Sequence, residues 1–82
     1  MNNLYILGAS GAVGQIYTQS VINLSIYNNI YLITSSNLGY ERLTPFCTYD
    51  NISLIKVEDI FNHTVEDGNN FFVNFAFAQG DL

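Results

Sequence analysis

The sequence predicts an α/β fold: a doubly wound parallel sheet of four strands in the order 3-2-1-4. Three observations predict it. Apolar runs recur at residues 4–7, 30–34, 52–57 and 71–78. The first two are continuous Leu, Ile and Tyr rather than alternating, as expected of strands buried on both faces of a parallel sheet. A helical apolar pattern lies between those two. Strand, helix and strand with such short links make a right-handed βαβ unit.

Taken in order, the first strand runs into Gly8-Ala9-Ser10-Gly11-Ala12-Val13-Gly14. Its placement after a strand and before a helix matters more than the three glycines alone, because that is where a dinucleotide pyrophosphate is cradled. Gly8 permits the tight turn, Gly11 lets backbone approach phosphate, and Gly14 lets the helix pack close to the sheet. The helix start adds unpaired N–H groups and about half a positive charge. Ser10 either adds a hydroxyl to this cradle or serves as a turn residue.

The helix is expected over residues 12–27. Val13, Ile16, Tyr17, Val21 and Leu24 recur at helical spacing on the face predicted to meet the sheet, with Gln15, Gln19 and Asn23 largely opposite. Asn28-Asn29 ends it. The connection 35–51 contains Gly39 and Pro45 and supports at most one helical turn. The third strand falls at the sheet edge and carries Lys56, a usual edge guard. The connection 61–70 has room for a short helix before Asp67-Gly68. The fourth strand has no charge and reads as lying between neighbours. One helix cannot shield both faces of four strands, so the chain reads as truncated. A missing C-terminal half or a partner chain is the expected cover for the fourth strand.

Bulk properties narrow the function. Eighty-two residues make one domain at most. A net charge of −5 with only two basic side chains, Arg42 and Lys56, argues against nucleic-acid and anionic-membrane binding, which need a basic patch. No Gly-Lys-Ser/Thr follows the glycines, so a lysine P-loop is excluded, and phosphate would be held mainly by backbone N–H groups. A single cysteine, Cys47, allows no intrachain disulfide and reads as a reduced thiol. His63 stands alone as a metal ligand and reads as a loop residue. The Asn-x-Ser/Thr triplets at Asn23, Asn51 and Asn62 occur in an Asn-rich chain without a signal-peptide pattern, and the expected location is cytoplasmic.

The pattern resembles the short-chain dehydrogenase/reductase superfamily, in its extended and atypical branches, which include NAD-dependent epimerase/dehydratases. The resemblance rests on three pieces: residues 7–14, Asp59-Ile60 after the third strand, and Phe75-Ala76-Phe77-Ala78 near the end of the fourth. It implies a partial Rossmann-type fold with the glycine loop at the pyrophosphate. Asp59 and Ile60 would lie at adenine, and Phe75, Ala76 and Phe77 on the nicotinamide-ribose side. A solvated strand-end Asp59, and small residues that merely pack, are the plain alternatives.

The end of the second strand departs from the NAD pattern. An acidic residue there binds the ribose 2′-hydroxyl, yet Thr34-Ser35-Ser36-Asn37 stands in its place, with Arg42 close behind. The expected cofactor is NADP or NAD, leaning to NADP. Ser36 and Asn37 would lie near the ribose, and Arg42 either pairs with a 2′-phosphate or faces water.

Members of the superfamily use a Tyr-x-x-x-Lys pair, in which Lys lowers the tyrosine pKa for proton exchange. The only lysine is Lys56, with Ile52 four residues before it. The chain thus carries most of a cofactor half-site and no assigned catalytic residue. The leading expectation is the dinucleotide-binding portion of an epimerase/dehydratase-like oxidoreductase. A non-catalytic NADP-binding sensor module is the alternative, and an interaction domain without ligand the third.

Overall fold

Strand β1 (Asn2–Leu7) leads into helix α1 (Ala12–Leu24), strand β2 (Asn29–Thr34), helix α2 (Asn37–Leu43), strand β3 (Ile52–Lys56) and strand β4 (Asn69–Asn74). Short 3-10 turns occupy Thr44–Thr48 and Val57–Asn62. The computed structural model describes residues 1–63 and 67–75, the side chains of Phe61 and Asn62 excepted. All four strands are parallel, in the order β3-β2-β1-β4. This is a partial Rossmann-like α/β fold, with the strand order the sequence predicts.

Because side chains alternate across a strand, each face of the sheet collects its own core. Leu4, Ile6, Ile30, Leu32 and Ile52 point to one face, where Val21 of α1 and Leu43 of α2 cover them. Tyr5, Tyr31 and Ile33 point to the other, where Ile60 of the Val57–Asn62 turn packs. Connections on both faces are what doubly wound means here.

The register places like side chains beside like. Tyr5 pairs with Tyr31 and with Phe72, and the rings stack at 4.7 and 4.8 Å between centroids. One row below, Asn3 pairs with Asn29 and Asn70. Asn3 is fully buried, yet its amide accepts from Asn29 Nδ2 at 2.9 Å and donates to Asn70 Oδ1 at 3.2 Å. A buried polar group is tolerated only when bonded in this way. Asn69 Nδ2 donates to Asn2 Oδ1 at 3.1 Å, and the Asn2 backbone N–H donates to Asn28 Oδ1 at 2.7 Å. The Asn-Asn pairs at 2–3, 28–29 and 69–70 thus lie together where β1, β2 and β4 begin.

Helix α1 is turned differently from the sequence expectation. Of the expected inward stripe, Val21 is buried and Tyr17 half-buried, but Val13, Ile16 and Leu24 are 49, 70 and 62% exposed, and Gly14 and Thr18 are buried instead. Backbone sterics outrank the apolar stripe. A Cβ on Gly14 would stand 2.8 Å from Ala9 backbone atoms, so the helix rolls until this glycine faces the strand end. Thr18 follows it inward and satisfies its hydroxyl by donating to Gly14 O at 2.7 Å. Replacing Gly14 by Ala is expected to cost about 1–3 kcal/mol through overpacking against rigid backbone. Thermal melting of the variant checks this, and an unchanged Tm would show that the close approach does not exist.

Three further expectations are corrected. Helix α1 stops at Leu24 rather than 27, because Ser25 adopts a left-handed φ of 55° and its N–H caps the carbonyls of Val21 and Ile22. The segment expected to hold at most one helical turn contains the seven-residue α2. Ser36 caps it by accepting from Gly39 N at 2.9 Å. Gly39 is no breaker there, since a Cβ on it would lie 2.7 Å from Ser10 Oγ. The third connection turns helical at Val57, ahead of the expected stretch, with Glu58 and Asp59 in a first turn that favours acidic side chains. Residues 64–66 of that stretch lie outside the described residues, as does the part of the fourth apolar run from residue 76.

Candidate functional site

In a parallel sheet all strands end at one edge, and in a 3-2-1-4 order the connections diverge beyond β1 and leave a crevice there. The glycine-containing turn from β1 into α1 lies at that edge. β1 turns at Gly8, whose φ of +70° is left-handed and suits glycine. The loop then reaches Gly11, the N-cap of α1, with φ −74° and ψ 170° and no side-chain cap. The first intrahelical bond runs from Gln15 N to Gly11 O at 2.9 Å. The N–H groups of Ala12, Val13 and Gly14 precede it and have no intrahelical acceptor. No acidic side chain occupies the first turn. Gln15 steadies the loop by donating from Nε2 to Ser10 O at 2.6 Å, a contact the sequence reading missed by assigning Gln15 to the outer face.

The remaining candidates divide. The Ser10 hydroxyl is directed at the end of β2, 3.4 Å from the Thr34 hydroxyl that donates to it, and beside Gly39. Its contacts are those of a turn residue that docks α2. Ser36 Oγ is engaged by Gly39 N–H. Asn37 Oδ1 accepts from Lys56 Nζ at 2.9 Å, and that ammonium lies 5.4 Å from the Tyr40 ring centre. Arg42 is exposed in the last turn of α2, about 7–8 Å farther along the helix axis than Asn37. The loop of residues 8–14, Ser36 and Asn37 therefore share one edge, and Arg42 stands apart from them.

Beyond β3, an open hollow of about 700 Å³ is lined by Tyr40, Leu54, Ile55, Lys56, Glu58, Asp59 and His63. Asp59 is exposed there, as a base-recognising carboxylate needs to be, whereas Ile60 turns inward against Tyr5, Tyr31 and Ile33. Phe75 also turns inward: its ring lies 5.1 Å from Tyr17, and its N–H donates to Leu7 O at 2.9 Å. Its side chain packs beneath α1, while Ala76 and Phe77 lie outside the described residues. Sequence reasoning passed over His63 as a loop residue. Its Nε2 is 3.0 Å from the Tyr5 hydroxyl, and its ring meets Tyr5 and Tyr31 nearly edge-on. A lone polar residue between two connections carried no periodic signal for that contact.

Cys47 is half-buried, and burial pushes its thiol pKa up. Less thiolate exists at neutral pH, so alkylation by iodoacetamide is expected to be slower than for free cysteine and to accelerate on unfolding in urea. Equal rates in buffer and in urea would contradict that placement. Among the described residues, no group of three His, Cys, Asp or Glu is placed to hold a metal ion, and no helix is long and apolar enough to cross a membrane. Compared with known families, curated proteins and solved structures, the chain matches none.

Proposed function

We propose that this chain binds NAD or NADP, as the dinucleotide-binding portion of an epimerase/dehydratase-like oxidoreductase. The observation that carries the reading is the turn from β1 into α1. Gly8 takes a left-handed φ, and Gly14 sits where a Cβ would strike backbone. Between them an uncapped helix start presents N–H groups beyond the end of a parallel strand. Those features suit a pyrophosphate: the backbone supplies the donors and the helix start the partial positive charge. The bound cofactor would supply hydride transfer. The chain's own residues bind and orient it, because the sequence contains no Tyr-x-x-x-Lys pair to move a proton. Asp59 at the hollow beyond β3 would accept from an adenine amino group.

The test is thermal melting of the 82-residue chain with and without millimolar NAD or NADP. At about 100 times Kd the ligand adds about 2.7 kcal/mol. For a domain of this size that raises Tm by roughly 10–20 °C. No shift with either dinucleotide would sink the proposal and leave an interaction domain without ligand as the better reading.

A further inference from the structure

The residue that separates NADP from NAD must act where the adenosine ribose lies, at the end of β2. No carboxylate stands there to repel a 2′-phosphate, since the segment reads Thr34-Ser35-Ser36-Asn37. A cation does stand there, and it comes from a different strand. Lys56, the last residue of β3, reaches across to Asn37 and donates from Nζ to Asn37 Oδ1 at 2.9 Å. The Tyr40 ring, 5.4 Å from the ammonium, restrains it from the α2 side. An ammonium has three donors, and the contact with Asn37 uses one. Glu58 and Asp59 line the same hollow, but neither forms an ion pair with Lys56 among the described residues.

We propose that Lys56, held by Asn37 and Tyr40, makes the site selective for NADP by pairing with the 2′-phosphate. The inference rests on the dinucleotide reading above. It assigns to Lys56 the part that the sequence suggested for Arg42. Register explains the difference. Thr34 pairs with Lys56 across β2 and β3, so the lysine emerges beside the β2 terminus, whereas Arg42 is carried away along α2.

The experiment is calorimetric titration of wild-type chain, Lys56→Gln, Lys56→Arg and Arg42→Gln with NAD and with NADP, after melting curves establish that each variant is folded. Wild type is expected to bind NADP more tightly than NAD. Lys56→Gln should weaken NADP by about 10–100-fold, the scale of one charge-assisted hydrogen bond, and leave NAD within roughly two-fold. Lys56→Arg should keep the preference, and Arg42→Gln should leave both affinities unchanged. Equal wild-type affinities would overturn the assignment, as would loss of the preference in Arg42→Gln in place of Lys56→Gln. Both results would leave dinucleotide binding intact. Failure to bind either cofactor would instead overturn the underlying reading along with this one.

Discussion

Replacing Tyr5 by alanine is expected to destabilise the fold by about 3–5 kcal/mol, the range for truncating a buried aromatic. Tyr5 is 1% exposed at the centre of the sheet, stacked on Tyr31 at one side and Phe72 at the other with interplanar angles of 18° and 16°. Its hydroxyl also meets His63 Nε2. Three strands and one connection therefore lose a shared contact at once. A domain of this length has only roughly 4–12 kcal/mol of stability, so the variant should lie near the edge of folding. Tyr5→Phe separates the two contributions, because it keeps the stack and removes the hydroxyl at a cost of about 0.5–1.5 kcal/mol. Urea denaturation reads both. A loss below about 1 kcal/mol for Tyr5→Ala would mean that the aromatic row does not hold the sheet together.

The second large effect falls on function. Gly11→Asp is expected to abolish dinucleotide binding while leaving the fold as stable as before or slightly more so. Gly11 has an extended backbone that any residue adopts, and it caps α1 without a side chain. An aspartate there would accept from the N–H of Val13 or Gly14, which is a preferred N-cap arrangement. It would also gain about 0.3–1 kcal/mol from the helix dipole. The same carboxylate would occupy and repel the place proposed for the pyrophosphate. Thermal melting gives both answers in one series: an unchanged or raised Tm for the free variant, and no further shift with NADP. A variant that still gains stability from NADP would move the phosphate site away from this loop.

The strand order and the glycine loop were legible because they follow from local signals in a fixed order: apolar runs, turn glycines and short links. The rotation of α1 was not. Val13, Ile16 and Leu24 form a credible inward stripe in sequence, and what turns them outward is the close approach of Gly14 to the backbone of Gly8 and Ala9, which leaves no room for a Cβ and exists only once the loop after β1 is in place. Gly39 misled for a related reason, reading as a breaker when its missing Cβ admits Ser10 and Thr34. Of the asparagine pairs, only Asn28-Asn29 carried a reading in sequence, as the end of the helix. Their role depends on register, which brings residues 3, 29 and 70 into one row. Within the site, the loop of residues 8–14 was visible, but the meeting of Lys56 with Asn37 was not, because the two are joined by strand pairing rather than by spacing.

The row of asparagines and the row of rings also tie distant stretches of the chain to β1. β1 meets β2 across 26 residues, but it meets β4 across 67, as the Asn3 bonds to Asn29 and Asn70 record. Closing the longer loop costs only about 0.8 kcal/mol more than the shorter one. Chain entropy therefore barely separates the two pairings, although β4 lies much farther along the sequence from β1 than β2 does. Without residues 69–74, Asn3 would lack the acceptor for its side-chain N–H and Tyr5 the ring stacked on one of its faces. Both contacts are supplied by the one strand β4.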